Sequence, residues 1–331
     1  MTISTKLSRR EFIVTGIGAV AASGSVFGAA FREPTKSGSA QLLKSPFRIS
    51  VITDEISQDF GHACEVASQR FGMSWVEIRG LWNKSLINID AKEISEVLRI
   101  LKKNNLRVTD IASPLFKVDW PGAPKSKFSE RDQFNASFTY AQQDEVLDRC
   151  IELAKKLSTD RIRCFDFWRL DDQTPYRKSI NDVLHNAADK TGKAGLVLLL
   201  ENEFACNTGT GAEAATTLAG VPSRHLMLNW DPGNAAKRGE VPYPEAYNLL
   251  PKDRIGHCHV KDVARTDKDY EWAAMGKGII DWSAQFAALK RDGYHYAVSL
   301  ETHWRGAGTP EASSIECWSG MRAALEKAGA L

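Results

Sequence analysis

Cysteine is scarce and scattered: six residues, at 64, 150, 164, 206, 258 and 317, with no CxxC pair and no zinc-knuckle spacing among them. A cysteine-based zinc site and a dithiol redox motif are thereby excluded. No Gly-rich dinucleotide fingerprint follows the first strand-like segment, and no Gly-rich loop that would cradle a phosphate stands out. The expected substrate therefore carries no phosphate. A positive balance is missing as well. The formal charge is +2, but residues 1–30 hold Lys6, Arg9 and Arg10 against Glu11, and the remainder carries 40 basic and 40 acidic residues. A body with no net positive charge is a poor candidate for nucleic-acid binding. Low-complexity tracts and a second domain are also absent.

The N-terminus does carry a signal. "LSRREFIVTGIGAVAASGSVFGAA" sets the paired arginines Arg9 and Arg10 before a mild apolar run that closes on small residues. That is the layout of a twin-arginine export signal, and "SRREFI" resembles its core motif. The run is short, and glycine, serine and threonine dilute it, so cleavage is expected and no stable membrane anchor remains. No cysteine follows the run, which argues against a lipoprotein. The chain is thus expected to divide into a signal peptide (1–30), a flexible tether (31–46) and a body (47–331), placed in the periplasm or otherwise outside the cytoplasm. Export in the folded state means the thiols first met a reducing cytoplasm, so buried free cysteine is expected.

Residues 47–331 have a length at which a single α/β barrel is common. Short apolar runs alternate with amphipathic stretches. Strand-like segments lie at 47–56, 75–80, 106–114, 161–168, 196–203, 225–234, 254–262 and 295–303, with helical stretches between or after them. The sixth helix is the least clear. Eight alternating units make a parallel sheet, and with no dinucleotide fingerprint they favour a closed (β/α)8 TIM barrel, a single domain, over an open doubly wound sheet.

Active sites of such barrels sit at the C-terminal ends of the strands. The fifth strand ends with Glu201, the sixth with Asp231, the seventh with His259 and the eighth with Glu301. Four successive strand ends with metal-competent side chains make an oxygen-rich site, suited to one divalent cation: Mn2+ first, with Mg2+, Co2+ or Zn2+ as alternatives. "HCHVKD" alone is a weak signal, because two strand-end histidines are as well explained by backbone partners. His257 and His259 share a face, as does Lys261.

Taken together and in order, "VEIR", "LEN", "DPGN", "HVKD", "GKGIIDW" and "SLE" resemble the xylose isomerase-like TIM barrels, also labelled sugar phosphate isomerase/epimerase. The resemblance runs from about Phe47 to the C-terminus and implies metal ligation by Glu201, Asp231, His259 and Glu301. It implies that Arg265, six residues after the metal histidine, holds substrate, and it leaves His257 to a supporting or core role. Lys261 is implied equally as a donor to substrate or as a salt-bridge partner. The ketose 3-epimerase branch carries histidine where Asn234 stands and a second glutamate where Asn207 stands, so free-ketose epimerisation does not transfer directly. "DPGN" resembles instead the branch acting on inositol-derived ketones, hydroxypyruvate and oxidised sugars. The endonuclease IV-like nucleases need further histidines that are missing.

The implied chemistry is proton movement beside a carbonyl, with Glu201 and Glu301 as catalytic groups flanking a bound sugar. His303 and Glu203, each two residues beyond a catalytic glutamate, Trp120 in the long loop after the third strand, Asn234 and His257 are further candidates for substrate contact. Three functions stay open: a metal-dependent isomerase or epimerase of an unphosphorylated sugar or inositol derivative; a lyase or hydrolase of 3-keto glycosides, or a keto-inositol dehydratase; and a catalytically silent sugar-binding barrel. The partner is a small carbohydrate, with a homo-oligomer allowed.

Overall fold

A computed structural model describes residues 43–331 apart from 125, 128–130, 135 and 268. The expected signal (1–30), and all of the tether (31–46) except its last four residues, lie outside the described residues. Eight strands form the central sheet: β1 (Arg48–Val51), β2 (Trp75–Ile78), β3 (Arg107–Leu115), β4 (Arg161–Cys164), β5 (Val197–Glu201), β6 (Leu226–Trp230), β7 (Ile255–Val260) and β8 (Ala297–Leu300). Neighbours pair in parallel in the order β1-β8-β7-β6-β5-β4-β3-β2. A parallel bridge from Ile52 to Glu77 joins the two ends into a nearly closed ring. The expected (β/α)8 barrel is the observed one.

The helices follow from their caps and apolar spacing. α1 (Phe60–Glu65) is capped by Asp59. α2 (Ala91–Lys103) starts on an Asp90–Glu93 capping box and buries Ile94, Val97, Ile100 and Leu101, spaced by three, three and one. α3 (Gln143–Lys156) and α4 (Arg177–Lys193) turn the same kind of stripe inward. α5 (Gly211–Gly220) has a Thr210–Glu213 capping box. α6 (Pro232–Lys237) is short, because the chain turns at Gly239 with φ +80°. That break explains why the sixth unit is faint in the sequence. α7 (Trp282–Arg291) and α8 (Pro310–Lys327) complete the outer ring. Each Leu, Ile or Val buried between sheet and helices contributes about 1.5–3 kcal/mol.

All six cysteines are buried, and none forms a disulfide. Among the described residues no helix is long and apolar enough to cross a membrane.

Candidate functional site

Strand ends β5 to β8 bring four side chains together. Glu201 is the last residue of β5, Asp231 follows β6, His259 lies on β7, and Glu301 follows β8. One ligand atom of each lies within 4.8 Å of the others, and none of the four residues is more than 2 % exposed. His259 Nδ1 faces the carboxylates: 3.4 Å from Glu201 Oε1, 3.5 Å from Asp231 Oδ2 and 3.2 Å from Glu301 Oε2.

Local chemistry fixes these positions. Asp231 is the N-cap of α6: its Oδ1 accepts the Asn234 N–H at 2.8 Å, and Pro232 occupies the first helical position. The cap spends one carboxylate oxygen and aims the other at the centre. Gly233 is required because a Cβ there would lie 2.6 Å from Lys261 Cγ. Asn234 Nδ2 donates to Glu201 Oε1 at 3.1 Å. Asn202 locks the two strand ends, accepting the Asp231 N–H and donating to the Asp231 carbonyl, both at 2.8 Å. Asp262 accepts the N–H groups of Gly276 and Gly278 at 2.9 and 3.0 Å, so "HVKD" and "GKG" belong to one turn. A Cβ at Gly278 would fall 2.1 Å from Asp262 Oδ1.

Buried carboxylates persist only when paired, and here each has a cation. Arg163 Nη1 lies 3.2 Å from Glu201 Oε2. Lys261 Nζ bridges Asp231 Oδ2 at 2.7 Å and Glu301 Oε2 at 2.6 Å. Arg79 reaches Asp54, Glu55 and Glu301 at 3.0, 2.7 and 3.0 Å. Burial raises Glu201, but His259 and Arg163 more than offset it and hold the carboxyl near about 2. Glu301 likewise sits well below the usual range, its burial outweighed by Lys261, His303 and His259. Burial works against His259 too, yet Glu77, Glu201 and Glu301 drive its imidazole well above its ordinary value.

The site fits a divalent cation. Metal–ligand distances of about 2.0–2.2 Å put opposed ligand atoms about 4.4 Å apart, close to the spread found here. Glu201 Oε2, Asp231 Oδ2 and His259 Nδ1 are buried without a hydrogen-bond partner, although the two oxygens do have ion-pair neighbours. Three carboxylates around one imidazole hold a proton on it by charge alone; a dication could take that proton's place.

The structure places the other expected residues unevenly. Lys261 and Asn234 touch the four-residue centre, and Glu203 pairs with Lys117 at 3.3 Å. His303 Nδ1 is 3.1 Å from Glu55 Oε1, its Nε2 is 3.7 Å from Glu301 Oε1, and its ring packs edge-on against Trp272. His257 lies one layer down, against Glu77 and Asp110. Trp120 packs with Tyr140 and Phe167 in an aromatic group at the root of the loop after β3. Arg265 stands in a hairpin (Asp262–Arg265 with Tyr270–Ala273), is exposed, and its side chain makes no hydrogen bond or ion pair among the described residues. The structure does not bring Arg265 or Trp120 into contact with the four-residue centre.

Sequence reasoning missed Glu77, Arg79, Asp110, Lys117, Arg163 and Phe134. The Phe134 ring covers the cations at the mouth, 4.3 Å from Arg79, 4.4 Å from Lys117 and 5.7 Å from Arg163. The overlooked signal was alternation: Glu77 and Arg79, like Arg161 and Arg163, are charged residues two apart in strands that should be apolar on both faces.

The chain matches the model of the xylose isomerase-like TIM barrel family over residues 66–319 and belongs to that family. No curated protein matches it in sequence. Solved structures of similar fold include the probable 3-DHS dehydratase AsbF of petrobactin synthesis from Bacillus anthracis, with TM-score 0.63, 18% identity, and 83% of this chain and 98% of that one covered. The IOLI protein with a bound zinc atom gives TM-score 0.62 and 17% identity over 85% of this chain and 98% of that one. D-psicose 3-epimerase gives 0.61 and 16% over 85% and 99%.

Proposed function

We propose that this xylose isomerase-like barrel is a divalent-metal-dependent isomerase or epimerase, moving a proton beside a carbonyl of an unphosphorylated sugar or inositol derivative. One observation carries the reading: two buried glutamates, Glu201 and Glu301, converge on the same His259 Nδ1 from strand ends three steps apart around the barrel. Glu201, Asp231, His259 and Glu301 would hold the cation; the barrels with D-psicose 3-epimerase activity and with bound zinc share this fold. When bound, the metal supplies charge stabilisation for an enediolate oxygen.

The chain's own groups divide the remaining work. Glu201 is ionised, and its Oε2, with Arg163 Nη1 3.2 Å away as ion-pair partner, is the oxygen that would take the proton. Glu301, held on both oxygens by Arg79 and Lys261, stands at the other side; it is ionised too, so a proton delivered from that side must first reach it from solvent or a substrate hydroxyl. Lys261 and His303 offer donors to substrate hydroxyls. Phe134 lies over the Arg79 and Lys117 cations beside the centre. A second reading, dehydration or β-elimination from a keto sugar, uses the same base and draws support from the dehydratase of similar fold. The test is NMR in D2O of Mn2+- or Mg2+-loaded protein with ketoses, keto-inositols and 3-keto glycosides. Deuterium at the carbon beside the carbonyl supports the first reading, an unsaturated product the second, and metal binding with no exchange leaves a sugar-binding barrel. Export of the folded protein by the twin-arginine route belongs to the same proposal: cytoplasmic folding lets an oxygen-rich site take its metal before Cu2+ or Zn2+ can compete.

A further inference from the structure

We propose that Glu77 is a positioning residue for His259: its carboxylate accepts the Nε2 hydrogens of His259 and His257 together, leaving the His259 Nδ1 lone pair for a divalent cation. The inference rests on the metal reading of the site above. Glu77, His257 and His259 are all fully buried. Glu77 Oε1 lies 3.0 Å from His259 Nε2, and Glu77 Oε2 lies 3.1 Å from His257 Nε2. An ionised carboxylate only accepts, so each contact requires hydrogen on that Nε2. A neutral imidazole has one N–H; once it is on Nε2, Nδ1 is a bare lone pair.

The opposite face of His259 agrees. Its Nδ1 has no hydrogen-bond partner and looks at three carboxylates, 3.2 to 3.5 Å away. Left to those carboxylates, the ring would turn a hydrogen toward them and repel a cation. A carboxylate behind the ring is the counterweight. Asn229 stands ready to assist: its side-chain amide is 3.1 Å from the same Nε2, and its Oδ1 is without a partner. Turning that amide over, an assignment set only by the hydrogen-bond network, gives Nε2–H a second acceptor.

The second histidine also acquires a purpose. With one oxygen on each imidazole, the Glu77 carboxylate cannot rotate away from His259 without abandoning His257. The two rings are edge to face, centroids 5.3 Å apart, so both Nε2 atoms reach one acceptor. His257 thereby fixes Glu77, and Glu77 fixes His259. Such partners behind a metal-binding imidazole typically govern metal affinity by about 10–100-fold.

The test uses the full chain with Zn2+ as probe. Histidine-15N-labelled wild-type protein loaded with Zn2+ is read by long-range 1H–15N correlation; His259 is expected protonated on Nε2 and not on Nδ1. The variant Glu77→Gln has one acceptor oxygen and one NH2, so it cannot accept from both rings. One imidazole should switch to the Nδ1–H form, and Zn2+ affinity, from competition against a chromophoric chelator, should fall about 10–100-fold. A purely structural Glu77 would leave the tautomer unchanged. Hydrogen on His259 Nδ1 in the wild type, or unchanged affinity in folded Glu77→Gln, overturns the inference while the metal reading stands. Wild-type protein that binds no Zn2+ overturns both. The wild-type spectrum decides even if the variant does not fold.

Discussion

The two halves of the barrel end their strands differently. β5 to β8 contribute Glu201, Asp231, His259 and Glu301, whose ligand atoms converge on one point. β1 to β4 and the turns just beyond them contribute groups that point at those ligands from behind. Arg163 on β4 meets Glu201, Glu77 on β2 meets His259, and Arg79 just after β2 meets Glu301. One half presents chemistry and the other holds it in place. The division has a physical cause: a converging set of carboxylates repels itself, and in a buried site only fixed opposite charges can offset that repulsion. Most of the holders therefore come from the half that bears none of the four, with Lys261, just after β7, supplying the charge between Asp231 and Glu301 from the other half.

Substitutions that break the presenting half should have the largest effect. Glu201→Ala, Asp231→Ala, His259→Ala and Glu301→Ala are each expected to remove bound metal and to lower kcat/KM by about a thousandfold or more, corresponding to several kcal/mol. Metal analysis of purified protein and steady-state kinetics check this. His257→Ala should lose less metal than His259→Ala; the reverse order would exchange their roles.

Breaking the holding half should act first on stability. Arg163 is buried, pairs with Glu201, and donates to the carbonyls of Ser113 and Ala112 at 3.3 and 3.1 Å. Arg163→Met should destabilise the metal-free protein by about 3–5 kcal/mol. Added Mg2+ or Mn2+ should recover more Tm in the variant than in the wild type, since the cation then pairs the abandoned carboxylate. Equal metal responses in thermal melts would show that Arg163 is packing and not a counter-charge.

A subtler comparison uses Asp110, the carboxylate behind His257. Burial and the neighbouring Glu77 push it up to about 6. A carboxyl whose folded pKa is raised gives its full stability when protonated, below about 4, and loses it as pH rises through about 6. Asp110→Asn should therefore gain stability relative to the wild type between pH 4 and pH 8, about 3 kcal/mol at the alkaline end. A stability difference independent of pH would contradict the shift.

Arg265→Ala should have the smallest effect. The side chain is exposed on its hairpin, so metal content should stay at the wild-type value and KM should rise less than about tenfold. An unchanged KM would remove Arg265 from substrate binding.

Much of the presenting half was legible in the sequence because each of the four candidate ligands stands at or beside the end of a largely apolar strand, next to a turn. Strand order then follows from the alternating βα pattern, so strand ends translate directly into a shared face. The holding half was not legible. Glu77 and Arg79 stand inside "VEIR" and Arg163 inside "RIRC", where charges at period two are visible but the partners Glu201, His259 and Glu301 come from distant strand ends. Arg265 differs from these: the resemblance implies a role in holding substrate, and the structure puts its side chain in solvent on the hairpin, outside contact with the four-residue centre.

The sequence by itself determined the (β/α)8 architecture, the neutral body and the ring of metal-competent strand ends, because hydrophobic period and turn residues act over a few positions along the chain. The tertiary structure alone decided which cation faces which carboxylate, which nitrogen of His259 faces the centre, and that the Phe134 ring lies over Arg79 and Lys117. Those outcomes depend on distances across a closed barrel, and strand closure, which no local pattern records, sets them.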